Sequence, residues 1–152
     1  MIIIFACLIL FNIIAILVPK RLTKIEIYAT SFFAIAFGRT ADAFLDIKYN
    51  FYGYITEGIQ YTGVLAQFLI YPAISTLFLN FFPSNKKLKY KALYIIGWSI
   101  FSVIFEWISL QTNFFYYTTW KLWYSALIYP FLFLILLGNL VIIRKINAKE
   151  QK

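Results

Sequence analysis

Residues 122–145 read LWYSALIYPFLFLILLGNLVIIRK, a long apolar run that ends on two basic residues. A helix needs about 20 mostly apolar residues to cross the hydrocarbon core of a bilayer, and this run is long enough. The basic pair is typical of the cytoplasmic end of a membrane helix, where Lys and Arg accumulate. The stretch therefore predicts a transmembrane helix whose last residues face the cytoplasm.

Four further apolar runs precede this one. Of the 152 residues, 62% are hydrophobic, whereas soluble domains are about 45–50% apolar. A single soluble core of this size cannot bury that excess, so lipid must cover it. We predict an all-α membrane protein that forms one transmembrane domain over residues 1–152, with five spanning helices at about residues 2–18, 25–47, 61–82, 92–110 and 122–143.

The basic residues orient this arrangement. Eleven of the fourteen Lys and Arg residues lie in the first loop, the third loop and the C-terminal tail. The second loop contains only Lys48 and the fourth only Lys121. Because Lys and Arg concentrate in cytoplasmic loops, we predict that the N-terminus lies outside and the C-terminus in the cytoplasm.

Composition also excludes several classes of function. The net charge of +8 does not indicate nucleic-acid binding, because the basic residues form short clusters between apolar runs. The chain has one cysteine, Cys7, and no histidine, which excludes an intrachain disulfide, a multi-cysteine metal site and histidine-based catalysis. We predict no cofactor, no bound metal and no catalytic residue. The predicted partners are the lipid bilayer and a small-molecule or lipid ligand, with another membrane protein or a second copy as alternatives.

Charged residues inside the predicted helices mark a candidate site. Charged groups near the bilayer centre are costly unless they are paired, and they often mark function. At a rise of about 1.5 Å per residue, Arg39 and Glu106 both lie about 21 Å from the inner ends of their helices. Near this level we predict an ion cluster of Arg39, Asp42 and Glu106. Its predicted walls are Gln67, Tyr71 and Tyr129. The cluster is either a structural ion pair or a ligand site. Polar stripes on helices two to five predict that these four form the bundle, with helix one at its edge.

The two outer loops are rich in aromatic residues. One interpretation is an interfacial aromatic belt, which is common at membrane surfaces. The other is an aromatic rim around an outward-facing mouth above the ion cluster. The predicted rim residues are Tyr52, Tyr54, Tyr117, Trp120 and Trp123.

A series of aromatic and polar positions runs from Tyr61 to Arg144: Tyr71-Pro72, Asn80, Pro83, Glu106, Tyr117, Trp120 and Trp123-Tyr124-Ser125. In these positions the chain resembles a family of short polytopic membrane proteins of spore-forming Gram-positive bacteria that has no assigned activity. The resemblance implies a multi-pass protein of the bacterial plasma membrane. It does not extend to Arg39 and Asp42.

These features lead to three hypotheses of function. The first is a non-enzymatic protein that binds or passes a small or amphipathic ligand through an outward-facing polar pocket. The second is a structural or accessory membrane subunit whose ion cluster only holds the bundle together. The third is a lipid-modifying enzyme, which would need a metal near Asp46, Glu57 or Glu106.

Overall fold

The computed structural model describes residues 2–54, 61–112 and 114–150. Five α-helices and two short strands occupy this part of the chain, in the order α1 (Ile2–Leu17), α2 (Lys24–Asp42), β1 (Tyr52–Tyr54), α3 (Tyr61–Phe81), α4 (Leu88–Gln111), β2 (Phe115–Tyr117) and α5 (Leu122–Glu150). By length and composition, α3, α4 and α5 could each cross a membrane, while α1 is apolar but shorter. The helical prediction is thus confirmed, with three helices long enough to span.

Side chains on the outside of the bundle are largely apolar. On α5, Leu127 and Phe131 are 61% and 66% exposed, and α1 and α4 carry similar rows. A soluble monomer rarely exposes apolar surface of this extent, and a bilayer would cover it. The distribution supports a membrane protein.

Local signals in the sequence explain where α2 begins and ends. The Thr23 side chain accepts from the Glu26 N–H at 3.2 Å, and the Glu26 carboxylate accepts from the Thr23 N–H at 2.7 Å. This reciprocal capping box starts the helix. After Asp42 the chain continues as a π-helix over Ala43–Lys48, and it turns at Asn50, whose φ of 48° lies in the left-handed region that Asn tolerates.

Strands β1 and β2 pair as a small antiparallel sheet at one end of the bundle, in the register Tyr52↔Tyr117, Gly53↔Tyr116 and Tyr54↔Phe115. We call this end the sheet end, and the opposite end, with the lysine-rich loop at residues 86–91, the basic end. The strands correct the all-α prediction. Three residues each are too few for hydropathy to reveal a strand, and the aromatic residues there matched an interfacial belt equally well.

Helix α1 packs along α3 through one narrow apolar face. Ile4 and Leu8 are 0% and 1% exposed and pack in a cluster with residues of the sheet. Phe11 meets the rings of Phe101 and Phe105 on α4 at centroid distances of 5.7 and 5.5 Å. The other side of α1 is exposed, with Ile3 and Leu10 at 63% and 52%, so the helix contributes a single apolar face to the packing.

The helix bounds also differ from the predicted ones. Helix α5 continues to Glu150, because no Gly or Pro follows the apolar run to stop the helix. The prediction ended at residue 143 because hydropathy marks only the end of the apolar run. Helix α4 begins at Leu88 for the same reason, since its first turn is basic but helical. In both cases the polar extension lies at the basic end.

An aromatic cluster joins three helices towards the basic end. Phe78 of α3 is fully buried and its ring lies 4.4 Å from that of Phe133 on α5. Tyr94 and Trp98 of α4 complete the contact, at 5.5 and 5.9 Å from the Phe78 ring. This packing holds α3, α4 and α5 together below the site.

Candidate functional site

Asp42 lies at the end of α2, where the π-helix begins, and is 8% exposed. Its Oδ1 accepts from the Tyr52 hydroxyl at 2.6 Å. Its Oδ2 accepts from the Gln67 amide at 2.7 Å and from the Tyr71 hydroxyl, with Tyr54 more distant at 3.4 Å. The carboxylate is therefore surrounded by neutral donors from β1 and α3.

Glu106 forms a second site of the same kind on α4. Its Oε1 accepts from the hydroxyls of Tyr117 at 2.7 Å and Ser125 at 2.8 Å. Its Oε2 accepts from the Tyr129 hydroxyl at 2.9 Å. Trp120 supports this arrangement by donating its indole N–H to Ser125 at 2.9 Å. The carboxylate of Glu106 is thus held by donors from β2 and α5.

The small sheet connects the two carboxylates. Side chains alternate between the faces of a strand, and directly paired residues point the same way. Tyr52 and its partner Tyr117 therefore share one face, and each donates to a different carboxylate. Burial raises the pKa of both hydroxyls, and the neighbouring carboxylates raise it further. Both tyrosines thus remain protonated donors at neutral pH.

The predicted cluster of Arg39, Asp42 and Glu106 is not formed. Arg39 donates to the side-chain oxygen Oε1 of Gln67, and the side-chain nitrogen Nε2 of the same residue donates to Asp42. Within the described residues, the one ion pair closer than 4.0 Å joins Arg144 and Glu26. The prediction assumed that Arg39 and Asp42, three residues apart on α2, would pair directly. Instead, the carboxylate oxygens accept hydrogen bonds from the sheet, which the sequence did not predict, and from α3 and α5.

A cavity of about 310 Å³ lies between the helices and reaches both carboxylates. All five helices and both strands contribute to its walls. Of the predicted site residues, those that line it are Asp42, Gln67, Tyr71, Glu106, Tyr129, Tyr52, Tyr54 and Trp120. Away from the carboxylates the walls are mainly apolar, with Phe101, Phe133 and Leu136 as examples.

The predicted aromatic rim is divided by the structure. Tyr52, Tyr54 and Trp120 form part of the cavity wall. Tyr117 reaches Glu106 without lining the cavity. Trp123 is 56% exposed and packs on Tyr124, so it is not part of the site.

Sequence reasoning missed three polar features of the structure. Ser75, on α3, lines the cavity, is 1% exposed, and its Oγ has no hydrogen-bond partner among the described residues. In the sequence, Ser75 and Ser125 were visible only as members of the polar stripes on helices three and five. The ion pair of Glu26 with Arg144, at 2.6 Å, ties α2 to α5 at the basic end. Its signal was the capping motif Thr23-x-x-Glu26, which places that carboxylate at a helix start.

The structure brings no metal-binding set together. Within residues 2–54, 61–112 and 114–150, no three His, Cys, Asp or Glu side chains lie close enough to hold an ion. Asp46 does not line the cavity, and Glu57 lies outside the described residues. The oxygens of Glu106 are engaged by hydroxyls instead. The arrangement offers hydrogen-bond acceptors and negative charge at one end of an apolar space.

Gly38 allows Tyr71 to reach Asp42. A Cβ at position 38 would lie 2.6 Å from the Tyr71 ring, whereas positions 97 and 138 have nothing within 4 Å. We expect Gly38→Ala to lower the free energy of unfolding by about 1–3 kcal/mol, because the overpacked ring must move. Denaturant titration in detergent measures this. Gly97→Ala and Gly138→Ala are the controls and should be neutral or stabilising by up to about 1 kcal/mol. Equal effects at all three positions would contradict the packing described here.

Compared with protein-family models, with curated proteins and with solved structures, the chain shows no significant match.

Proposed function

We propose that the chain crosses a bacterial plasma membrane five times, with the sheet end outside. Helix α1 runs the length of α3: Ile4 packs at the sheet end, while Asn80 of α3 holds Pro19 and Arg21 at the basic end. Helix α2 likewise extends from Glu26 near α5 to Asp42 under the sheet. Since α3 and α5 are long enough to cross, neighbours that run beside them cross as well.

This orientation can be tested by labelling single cysteines in intact cells. In a Cys7→Ser background, Lys121→Cys should react with a membrane-impermeant maleimide. Lys87→Cys should react only after the membrane is permeabilised, because lysine-rich loops remain in the cytoplasm. Lys149→Cys, in the tail, is a second internal position. If Lys87→Cys reacts in intact cells and Lys121→Cys reacts only after permeabilisation, the proposed orientation is the wrong way round.

We further propose that the cavity binds a small amphipathic ligand. One observation supports this most strongly: the buried carboxylate of Asp42 and the half-buried carboxylate of Glu106, neither in an ion pair with any described residue, face one cavity of about 310 Å³ with mainly apolar walls. Ligand pockets typically combine apolar walls with a few converging polar groups. Intramembrane ionisable residues that face a cavity commonly mark substrate or ion paths.

A second function has an observation in its favour. The hydrogen bonds on Asp42 and Glu106 all come from this chain, and they link the helices to the sheet. Such a network could serve only to hold the bundle in an accessory subunit. A structural role requires no free space beside the carboxylates, so filling the cavity separates the two proposals.

The test fills the cavity from a position that makes no hydrogen bond to either carboxylate in the described structure. Ser102 lines the cavity, and its hydroxyl bonds only to Trp98 of its own helix in the described structure. Native mass spectrometry of protein purified in mild detergent should show a retained small molecule on the wild type and none on Ser102→Phe. Ile100→Phe is the control, since Ile100 lies on α4 and is 55% exposed. Identical spectra for all three proteins would reject the ligand and leave the structural role.

A further inference from the structure

We propose that the ligand carries a positively charged amine, which the cavity holds at Asp42 and Glu106; this inference rests on the proposed function. The cavity wall contains these two carboxylates and, within the part of the chain that the structure describes, no Lys or Arg. Their hydrogen bonds come from Tyr, Ser and Gln side chains, all neutral donors. Arg39 acts on Asp42 from outside the cavity wall, so on the cavity side the two carboxylates face no positive charge from the described residues.

The position of Arg39 is central to this inference. Its guanidinium donates to the side-chain oxygen of Gln67, and the side-chain nitrogen of Gln67 donates to Asp42. The Gln67 side chain therefore links Arg39 to Asp42. Arg39 also does not line the cavity. An ionised carboxylate in a low-dielectric interior is costly until a charge partner arrives. A ligand ammonium would be that partner, and it could reach Glu106 from the cavity side.

Aromatic side chains around the carboxylates suit the same chemistry. Tyr52, Tyr54, Phe115 and Trp120 all line this end of the cavity, and their rings lie 5.0 to 5.7 Å from one another in successive contacts. Faces of Trp, Tyr and Phe rings attract cations, and aromatic cages are used to bind quaternary ammonium groups. Carboxylates flanked by such rings favour an amine over a neutral head group.

The apolar part of the cavity suits an alkyl chain attached to the amine. Side chains such as Phe105, Leu132 and Leu136 line it, and they would accommodate a hydrocarbon better than a hydrated inorganic cation. Ser75 is an independent sign of a ligand. It lines the cavity and is only 1% exposed, yet its hydroxyl has no hydrogen-bond partner among the described residues. It lies four residues beyond Tyr71, or about 6 Å along the helix. A polar atom of the ligand at that depth would satisfy it.

Three probes with the same chain length test the charge: octylamine, octanol and octanoate. Each is added to the protein in dodecyl maltoside, and the bound fraction is counted by native mass spectrometry. We expect octylamine to bind the wild type at least about tenfold more tightly than the other two, because hydrogen bonds to charged groups are worth that factor or more. Ser102→Phe should abolish this binding.

Matched variants assign the binding to the site. Glu106→Gln should weaken octylamine by about tenfold, since the charge is lost while the shape is kept. Asp46→Asn is the control. Asp46 lies at the same end of the bundle as Glu106, but its carboxylate does not line the cavity. If Glu106→Gln does not fold, the comparison of the three probes on the wild type still decides the question.

The failures of the two proposals differ. Equal binding of octanol or octanoate, sensitive to Ser102→Phe, would overturn the amine and keep the pocket. Binding of every probe that is insensitive to Ser102→Phe, or binding of none, would overturn the pocket itself. Loss of octylamine binding in Asp46→Asn as large as in Glu106→Gln would also overturn the amine site, since it would indicate a general effect of charge.

Discussion

Asp42→Ala is expected to lower the free energy of unfolding by about 4 kcal/mol, because several buried donors lose their acceptor together and each costs about 1–3 kcal/mol when unsatisfied. The donors are Tyr52, Gln67 and Tyr71, which come from β1 and α3. Removal of the carboxylate therefore also breaks one of the links between the sheet and the helices. Unfolding in detergent, followed by tryptophan fluorescence, measures the change.

The matched control is Asp46→Ala, one turn further along the chain. Asp46 does not line the cavity, and we expect a loss below about 1 kcal/mol, as for most positions outside a buried network. A second variant, Asp42→Asn, keeps one acceptor and should fall between the two. A loss at Asp46 as large as that at Asp42 would refute the described hydrogen-bond network.

Phe78→Ala is expected to lower the free energy of unfolding by about 3–5 kcal/mol, the usual range for truncation of a fully buried Phe. Phe78 is 0% exposed and contacts Trp98 and Phe133. Its removal leaves a cavity where α3, α4 and α5 meet. Since lipid is as apolar as the side chain, the cost arises from lost packing and not from exposure to water.

Phe81→Ala provides the comparison on the same helix. Phe81 is 41% exposed and faces outward, so its truncation should change stability by less than about 0.5 kcal/mol. The same denaturant titration serves for both variants. Similar losses at 78 and 81 would mean that α3 is rotated relative to the described bundle.

The sequence predicted the helices well because apolar length and charge placement are strong signals in membrane proteins. Leu122 was correctly placed as the start of the last helix. The end of that helix was predicted at residue 143, where the apolar run ends, but the helix itself continues to Glu150. Helix α1 packs through apolar side chains, and such contacts leave no polar pattern in the sequence from which they could be predicted.

The candidate site was predicted in its members and not in its contacts. Depth along the helices selected Arg39, Gln67, Glu106 and Tyr129, and Asp42 was added as a partner of Arg39. All of these except Arg39 line the cavity. The pairing of Arg39 could not be derived, because it depends on side chains that arrive from a distant part of the chain. Tyr52 and Tyr117 are far apart in the sequence yet pair across the sheet, and that pairing explains why each carboxylate has one hydroxyl partner from the sheet.

The central claim is that the space beside Asp42 and Glu106 is a ligand site. A density map of the purified wild-type protein, determined in the presence of octylamine, tests it most directly. We predict non-protein density that extends from the two carboxylates towards Phe133, with its polar end within hydrogen-bonding distance of Glu106. A cavity closed by repacked side chains, or one without added density at saturating octylamine, would contradict the claim.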